Sequence, residues 1–92
     1  MTPLSEALRA RRRELGLSQR AAVEALGVDV SQAAYQAWES GRIEPGGRYL
    51  PAIFRFLGLQ PAEAQALLLR DRMHRGGVED DEARRWLEQT ET

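Results

Sequence analysis

The chain has no cysteine, no lysine, no long apolar run and only six aromatic residues among 92. Without cysteine, disulfides and thiolate metal centres are excluded, and a reducing cytoplasm is compatible. The longest apolar run, residues 66–69, falls far short of the roughly 20 residues that span a bilayer. The first residues lack the apolar core of a secretion signal. A cytoplasmic location without membrane contact is expected. Nothing assembles into a catalytic triad, a phosphate loop or a metal motif, so neither enzyme activity nor a cofactor nor a metal is expected. Glu39 has no second carboxylate at useful spacing. The lone His74 sits between Arg72 and Arg75 near a helix end, which suits a surface cation. The four acids of residues 79–82 read as a solvated cap.

What is present is arginine. All thirteen basic residues are Arg, set against fourteen acids for a net charge of −1. The distribution is uneven: residues 1–60 carry a balance of +2 and residues 61–92 a balance of −3. A basic head with an acidic tail suits a module that meets a polyanion with one end. Arg gives planar bidentate contacts that Lys cannot, although a GC-rich genome also yields Arg in place of Lys. A chain this short forms one domain and buries only about 60–65% of its unfolded surface. Its core is thin, and Tyr35, Trp38, Tyr49, Phe54, Phe56 and Trp86 each weigh in it.

Helical signals run throughout. Pro3 suits a first helical position with Thr2 as its cap, and Leu4, Leu8 and Leu15 mark one face of a helix over residues 3–14. Arg9, Arg11 and Arg13 read as its solvated side, whereas Arg12, four residues after Leu8, points inward. Ser18 caps a second helix with Ala22, Val23 and Leu26 on one side and Gly27 at its end. After a connection over residues 28–30, Ser31 caps a third helix whose inner face is Ala34, Tyr35 and Trp38 and whose terminator is Gly41; Asp29 is a rival cap. Trp38 is expected in the core, and Tyr35 packed with its hydroxyl near the surface. A loop over residues 42–47 leads to a fourth helix, residues 48–57, with Leu50, Ile53, Phe54 and Leu57 at helical spacing and Gly58 after it. Gln60-Pro61 opens a fifth, which Gly76-Gly77 stops near His74. A last amphipathic segment, residues 80–89, carries Ala83, Trp86 and Leu87. No strand pattern and no repeat is present, so the fold class is all-α, a compact bundle of five to six short helices.

In this order the chain resembles the phage-repressor and Cro-like (Xre-type) helix-turn-helix family. The resemblance covers about residues 8–61. It rests on Arg12 before Leu15-Gly16-Leu17-Ser18-Gln19, then Leu26-Gly27-Val28, Trp38-Glu39-x-Gly41, Pro45, and Leu50-Pro51 leading to Phe56-Leu57-Gly58. It implies a lambda-repressor-like fold whose third helix enters the DNA major groove. Gln32, Ala33, Gln36 and Ala37 then take the positions that face bases, where Gln can match adenine N6/N7 and Ala a thymine methyl. Gln19 looks like the family's phosphate-gripping glutamine. Ser18, Ser31, Arg42 and Arg48 fall where relatives meet backbone or minor groove, and the start of the fourth helix near Arg48-Tyr49 offers N–H groups to phosphate. Arg12 and Glu39 match a buried ion pair of structural purpose. One departure stands out: Gly27 and Trp38 enclose ten residues where the family usually has about eight. Asp29-Val30 therefore lengthens the turn or the start of the third helix.

Residues 1–60 are read as the DNA-binding domain and residues 61–92 as a helical extension for dimerisation or partner binding. Leu67, Leu68, Met73, Trp86 and Leu87 are the dimer candidates, because a single helix-turn-helix has few contacts and two-fold dimers read half-sites about one turn apart. The expected function is a sequence-specific transcriptional regulator, a bacterial or phage repressor that binds double-stranded DNA at an inverted repeat as a homodimer. Two other readings stand beside it. One is an antitoxin whose head autoregulates an operon while its acidic tail captures a toxin protein. The other is a protein-interaction adaptor that keeps the fold and has lost DNA binding.

Overall fold

The structure, a computed structural model, describes residues 2–75; the amphipathic segment with Trp86 and Leu87 lies outside them. Among the described residues there are five α-helices, one 3-10 turn and no strand: α1 Pro3–Glu14, α2 Gln19–Leu26, α3 Gln32–Ser40, the turn Gly47–Tyr49, α4 Leu50–Leu57 and α5 Pro61–His74. None of these helices is long and apolar enough to cross a membrane.

Side chains define the starts. The Ser5 N–H donates to Thr2 Oγ1 at 3.2 Å and the Thr2 N–H to Ser5 Oγ at 2.8 Å, a reciprocal cap for α1. The Ser18 hydroxyl accepts from the Ala21 N–H and the Ser31 hydroxyl from the Ala34 N–H, each at 3.1 Å. Ser31, not Asp29, is thus the cap of α3. Gln60 and Glu63 form a further reciprocal cap at α5. α4 begins two residues later than its apolar pattern indicates. Pro51 has no N–H with which to bond the Gly47 carbonyl in α-helical fashion. The Leu50 N–H bonds that carbonyl instead, and the Tyr49 N–H bonds Gly46 O at 2.9 Å.

The core draws on every helix: Leu4 and Leu8 from α1, Ala22 and Leu26 from α2, Tyr35 and Trp38 from α3, Ile53 from α4 and Leu67 from α5. Trp38 is buried as expected, with Tyr35 edge-on at 6.3 Å and Tyr49 tilted against it at 5.0 Å. Leu15 departs from its expected face. α1 ends at Glu14, so the chain leaves the helix before Leu15 can turn inward, and its side chain is 46% exposed. Ala34 is only half-buried, and the inner side of α3 is completed by Ala37.

α5 packs back along α1, sharing the same core through Leu67, which is 8% exposed. Residues on both sides of position 60 thus share one core, and Leu67, one of the dimer candidates, is a buried part of it. Leu68 and Met73 are half-buried.

Candidate nucleic-acid interface

The connection between α2 and α3 occupies residues 27–31. Asp29 and Val30 lie in this turn, so the two additional residues lengthen the turn and leave the start of α3 at Gln32. Val28 and Val30 pack against the core and the Val30 N–H donates to Val28 O at 3.0 Å, which folds the longer turn onto the domain.

Along α3, Gln32, Ala33 and Gln36 are exposed. Ala37 is not: it is 3% exposed. The chain after α3 folds back over it, with the N–H groups of Arg42 and Ile43 donating to Ala37 O at 3.1 and 3.4 Å and the Ser40 hydroxyl donating at 3.0 Å. Of the four residues expected to face bases, Gln32, Ala33 and Gln36 are thus the exposed ones. Ser18 and Ser31 are exposed at their helix starts, with hydroxyls already engaged as caps. Gln19 is half-buried at the start of α2, and its side chain helps to hold the Glu39 carboxylate. Arg42 is exposed in the loop behind α3. Arg48 is exposed too; its guanidinium lies 4.6 Å over the Tyr49 ring and donates to the Tyr49 hydroxyl. The Tyr49 N–H, expected to be free for phosphate, is used within the 3-10 turn.

Arg12 and Glu39 form the expected ion pair. Arg12 Nε donates to both carboxylate oxygens at 3.1 and 3.0 Å and Nη2 donates to Oε1 at 2.6 Å. Nη1 reaches the Leu17 carbonyl at 3.0 Å, and Arg9 Nε stands 3.7 Å from the same carboxylate. The Glu39 side chain is 2% exposed and that of Arg12 17%. Burial by itself would raise the Glu39 pKa, but the hydrogen bonds and charge of Arg12, with contributions from Tyr35 and Gln19, hold it below its ordinary value. Tyr35 corrects its expectation: it is wholly buried, hydroxyl included. Burial first, and the Glu39 carboxylate second, push its phenol up. The pair thus ties α1 to the last turn of α3 and fixes how that helix is presented.

A second buried network was not foreseen. Asp71, on α5, is 0% exposed. Its Oδ1 accepts from the Leu4 N–H at 2.9 Å and its Oδ2 from Arg75 Nε at 2.9 Å. Burial opposes its charge, yet the Thr2 side chain, the Leu4 N–H and Arg75 together keep its pKa low. Arg75 Nη1 also donates to the Gly41 carbonyl at 3.0 Å. Gly41 has φ +81°, and a Cβ there would lie 3.3 Å from Ser5 Oγ and from Thr2. The start of α1, the end of α3 and the end of α5 are therefore clasped at one point, just before Arg42. The i,i+4 spacing of Asp71 and Arg75 was visible in the sequence, but a partner 67 residues away was not. Arg11 likewise does more than face solvent: its Nε donates to the Phe56 carbonyl at 3.0 Å, which satisfies the end of α4.

A helix-turn-helix family profile matches residues 8–63, more than half of the chain. Comparisons with curated proteins and with solved structures gave no match. α2, its turn and α3 lie within the matched residues, with an exposed outer side on α3 and an Arg–Glu pair behind it. The chain belongs to the Xre-type, lambda-repressor-like helix-turn-helix family of DNA-binding regulators.

Proposed function

We propose that the chain is a sequence-specific transcriptional repressor that binds an inverted-repeat operator as a homodimer and acts by occupying promoter DNA in the cytoplasm, without catalysis or cofactor. The observation that carries this reading is the outer side of α3. Gln32, Ala33 and Gln36 are exposed together on a helix whose inner side is core and whose two ends are held by Ser31 and by the Arg12–Glu39 and Arg75–Gly41 contacts. Such a helix presents its side chains at low ordering cost. Gln32 and Gln36 read adenine edges, and Ala33 packs on a thymine methyl. Gln19, Arg42 and Arg48, with the capped starts at Ser18 and Ser31, fix register on the phosphates. Leu68 and Met73 remain as dimer contacts on the described part of α5.

Gln32→Ala with Gln36→Ala tests the reading, because both residues are exposed and the fold should be indifferent to them. At about 1–3 kcal/mol per lost bidentate contact, affinity for the preferred duplex should fall at least tenfold while affinity for unrelated duplex holds. Equal binding to both duplexes by the native chain, unchanged in the variant, would shift the assignment to an adaptor that has lost DNA reading.

A further inference from the structure

The last turn of α5 holds the chain on both sides of Arg42. On one side, Arg75 Nη1 donates to the Gly41 carbonyl at 3.0 Å. On the other, Arg72 Nε donates to Glu44 Oε1 at 3.1 Å, and the neighbouring Pro45 is buried. Between these points the Arg42 and Ile43 N–H groups bond Ala37 O at 3.1 and 3.4 Å. The backbone of this loop is thus held along its length while the two side chains at its tip stay in solvent: Arg42 is exposed and Ile43 is 56% exposed.

The two anchors differ in strength. The side chains of Arg72 and Glu44 are 54% and 32% exposed, and a pair so placed contributes little by itself. Arg75 is better held. Its Nε donates at 2.9 Å to Oδ2 of Asp71, whose side chain is 0% exposed, and the other oxygen of Asp71 is engaged by the Leu4 N–H. A guanidinium is planar, with its N–H donors in a rigid fork. A carboxylate that fixes Nε therefore also fixes the direction in which Nη1 points, which is toward the Gly41 carbonyl. Gly41, with φ +81°, is the turn that delivers Arg42. Asp71, Arg72 and Arg75 all lie beyond residues 8–63, so these anchors come from outside the matched module.

We propose that Asp71 and Arg75 are positioning residues for DNA binding: through the Gly41 carbonyl they set where Arg42 stands, with Arg72 and Glu44 steadying the far side of the loop. α5 then acts on the DNA face through the loop rather than by contact. This rests on the DNA-binding reading, in which Arg42 meets the phosphates, and deepens it by adding a helix outside the α2–α3 pair.

Arg42→Ala, Asp71→Asn and Arg75→Met, with the two double variants that contain Arg42→Ala, test this in the full chain against a duplex pool of random sequence. Each is assayed at a temperature where circular dichroism shows it folded. Asp71→Asn keeps an acceptor for the Leu4 N–H and removes the charge that orients Arg75. One phosphate contact contributes about 0.9 to the log–log salt slope, which at about 150 mM salt amounts to about fivefold in affinity. Arg42→Ala should lose that slope and that affinity. Asp71→Asn and Arg75→Met, which leave Arg42 present but misplaced, should each lose up to the same amount, about two- to fivefold, and nothing further once Arg42 is gone. A field effect alone would move these two variants in opposite senses, since one removes an acid and the other a base. General loosening of the fold would weaken binding equally with and without Arg42. In the free protein, backbone order parameters at Arg42 and Ile43 should fall from about 0.85 toward about 0.6 in both variants while α2 keeps its native values. No loss of affinity, losses of equal size in both backgrounds, or native order parameters in the loop overturn the proposal and leave Arg42 as a contact. An Arg42→Ala chain that binds as the native chain does overturns it together with the phosphate role of Arg42, and a native chain that binds no duplex overturns it together with the whole DNA-binding reading.

Discussion

Arg12→Met removes three hydrogen bonds to Glu39 and one to the Leu17 carbonyl while keeping an apolar stem of similar length. What remains is a carboxylate on a side chain 2% exposed, with Arg9 at 3.7 Å as its nearest cation. Breaking a buried pair in this way costs about 3–5 kcal/mol. Arg12 is itself 17% exposed and Arg9 offers some compensation, so the low end, about 3 kcal/mol, is expected. For a chain of this size that lowers Tm by roughly 12–24 °C. The loss should also depend on pH in a particular sense. In the native chain the Glu39 pKa is depressed below 4.5, so the stability it contributes is present above that value and is lost as pH falls through the depressed one. In the variant, burial without Arg12 raises the Glu39 pKa. The folded variant then gains relative stability as pH falls, and the gap between variant and native chain narrows from pH 7 toward pH 4. Adding Glu39→Leu removes the stranded charge, and the double variant should return to within about 1 kcal/mol of the native chain, since apolar replacement of a buried pair is often neutral or stabilising. Urea unfolding of the four proteins at pH 7 and pH 4.5 reads all of this. A double variant that loses the sum of the two single losses, or a gap that ignores pH, would show that Arg12 and Glu39 are not coupled in this way.

The clasp at the far end of α1 gives three further expectations. Asp71→Ala should cost about 2–3 kcal/mol, because the Leu4 N–H and the Arg75 guanidinium both lose a buried partner; an effect under 0.5 kcal/mol in urea unfolding would contradict the network. Gly41→Ala should cost about 2 kcal/mol, from the left-handed backbone and from a Cβ 3.3 Å from Ser5 and Thr2. Gly27→Ala, with the same sign of φ and open space around the Cβ, should lose less, and a reversal of that ranking in thermal melts would count against the close approach. With Glu39 and Asp71 both depressed, native stability should be level from pH 7 to about 5 and fall steadily below about 4. A level profile down to pH 3 would show that neither carboxylate is held as described.

Much of the fold was legible because it is written locally. Thr2-Pro3, Ser18, Ser31 and the glycines after α2, α3 and α4 are punctuation that acts within four residues, and the structure starts and stops its helices at them. Arg12 was legible through its phase with Leu8. What was not legible depends on distant chain. Asp71 looks like any surface acid until α5 lays it over the start of α1. Ala37 shares the outer composition of Ala33, yet it is buried, with the chain after α3 returning over its carbonyl. Leu67, Leu68 and Leu69 stand 100° apart on a helix, so sequence could not say which one enters the core. The start of α4 turned on a local feature that apolar periodicity does not weigh, the missing N–H of Pro51.

In the proposed function the exposed side of α3 reads sequence. Selection from a random duplex library by the purified native chain, at about 150 mM salt to suppress the sequence-independent phosphate term, tests it most directly. The expected result is enrichment of an inverted repeat whose half-sites are centred about one helical turn apart, with adenine–thymine pairs where Gln32, Ala33 and Gln36 reach. A folded protein that enriches no sequence would contradict it.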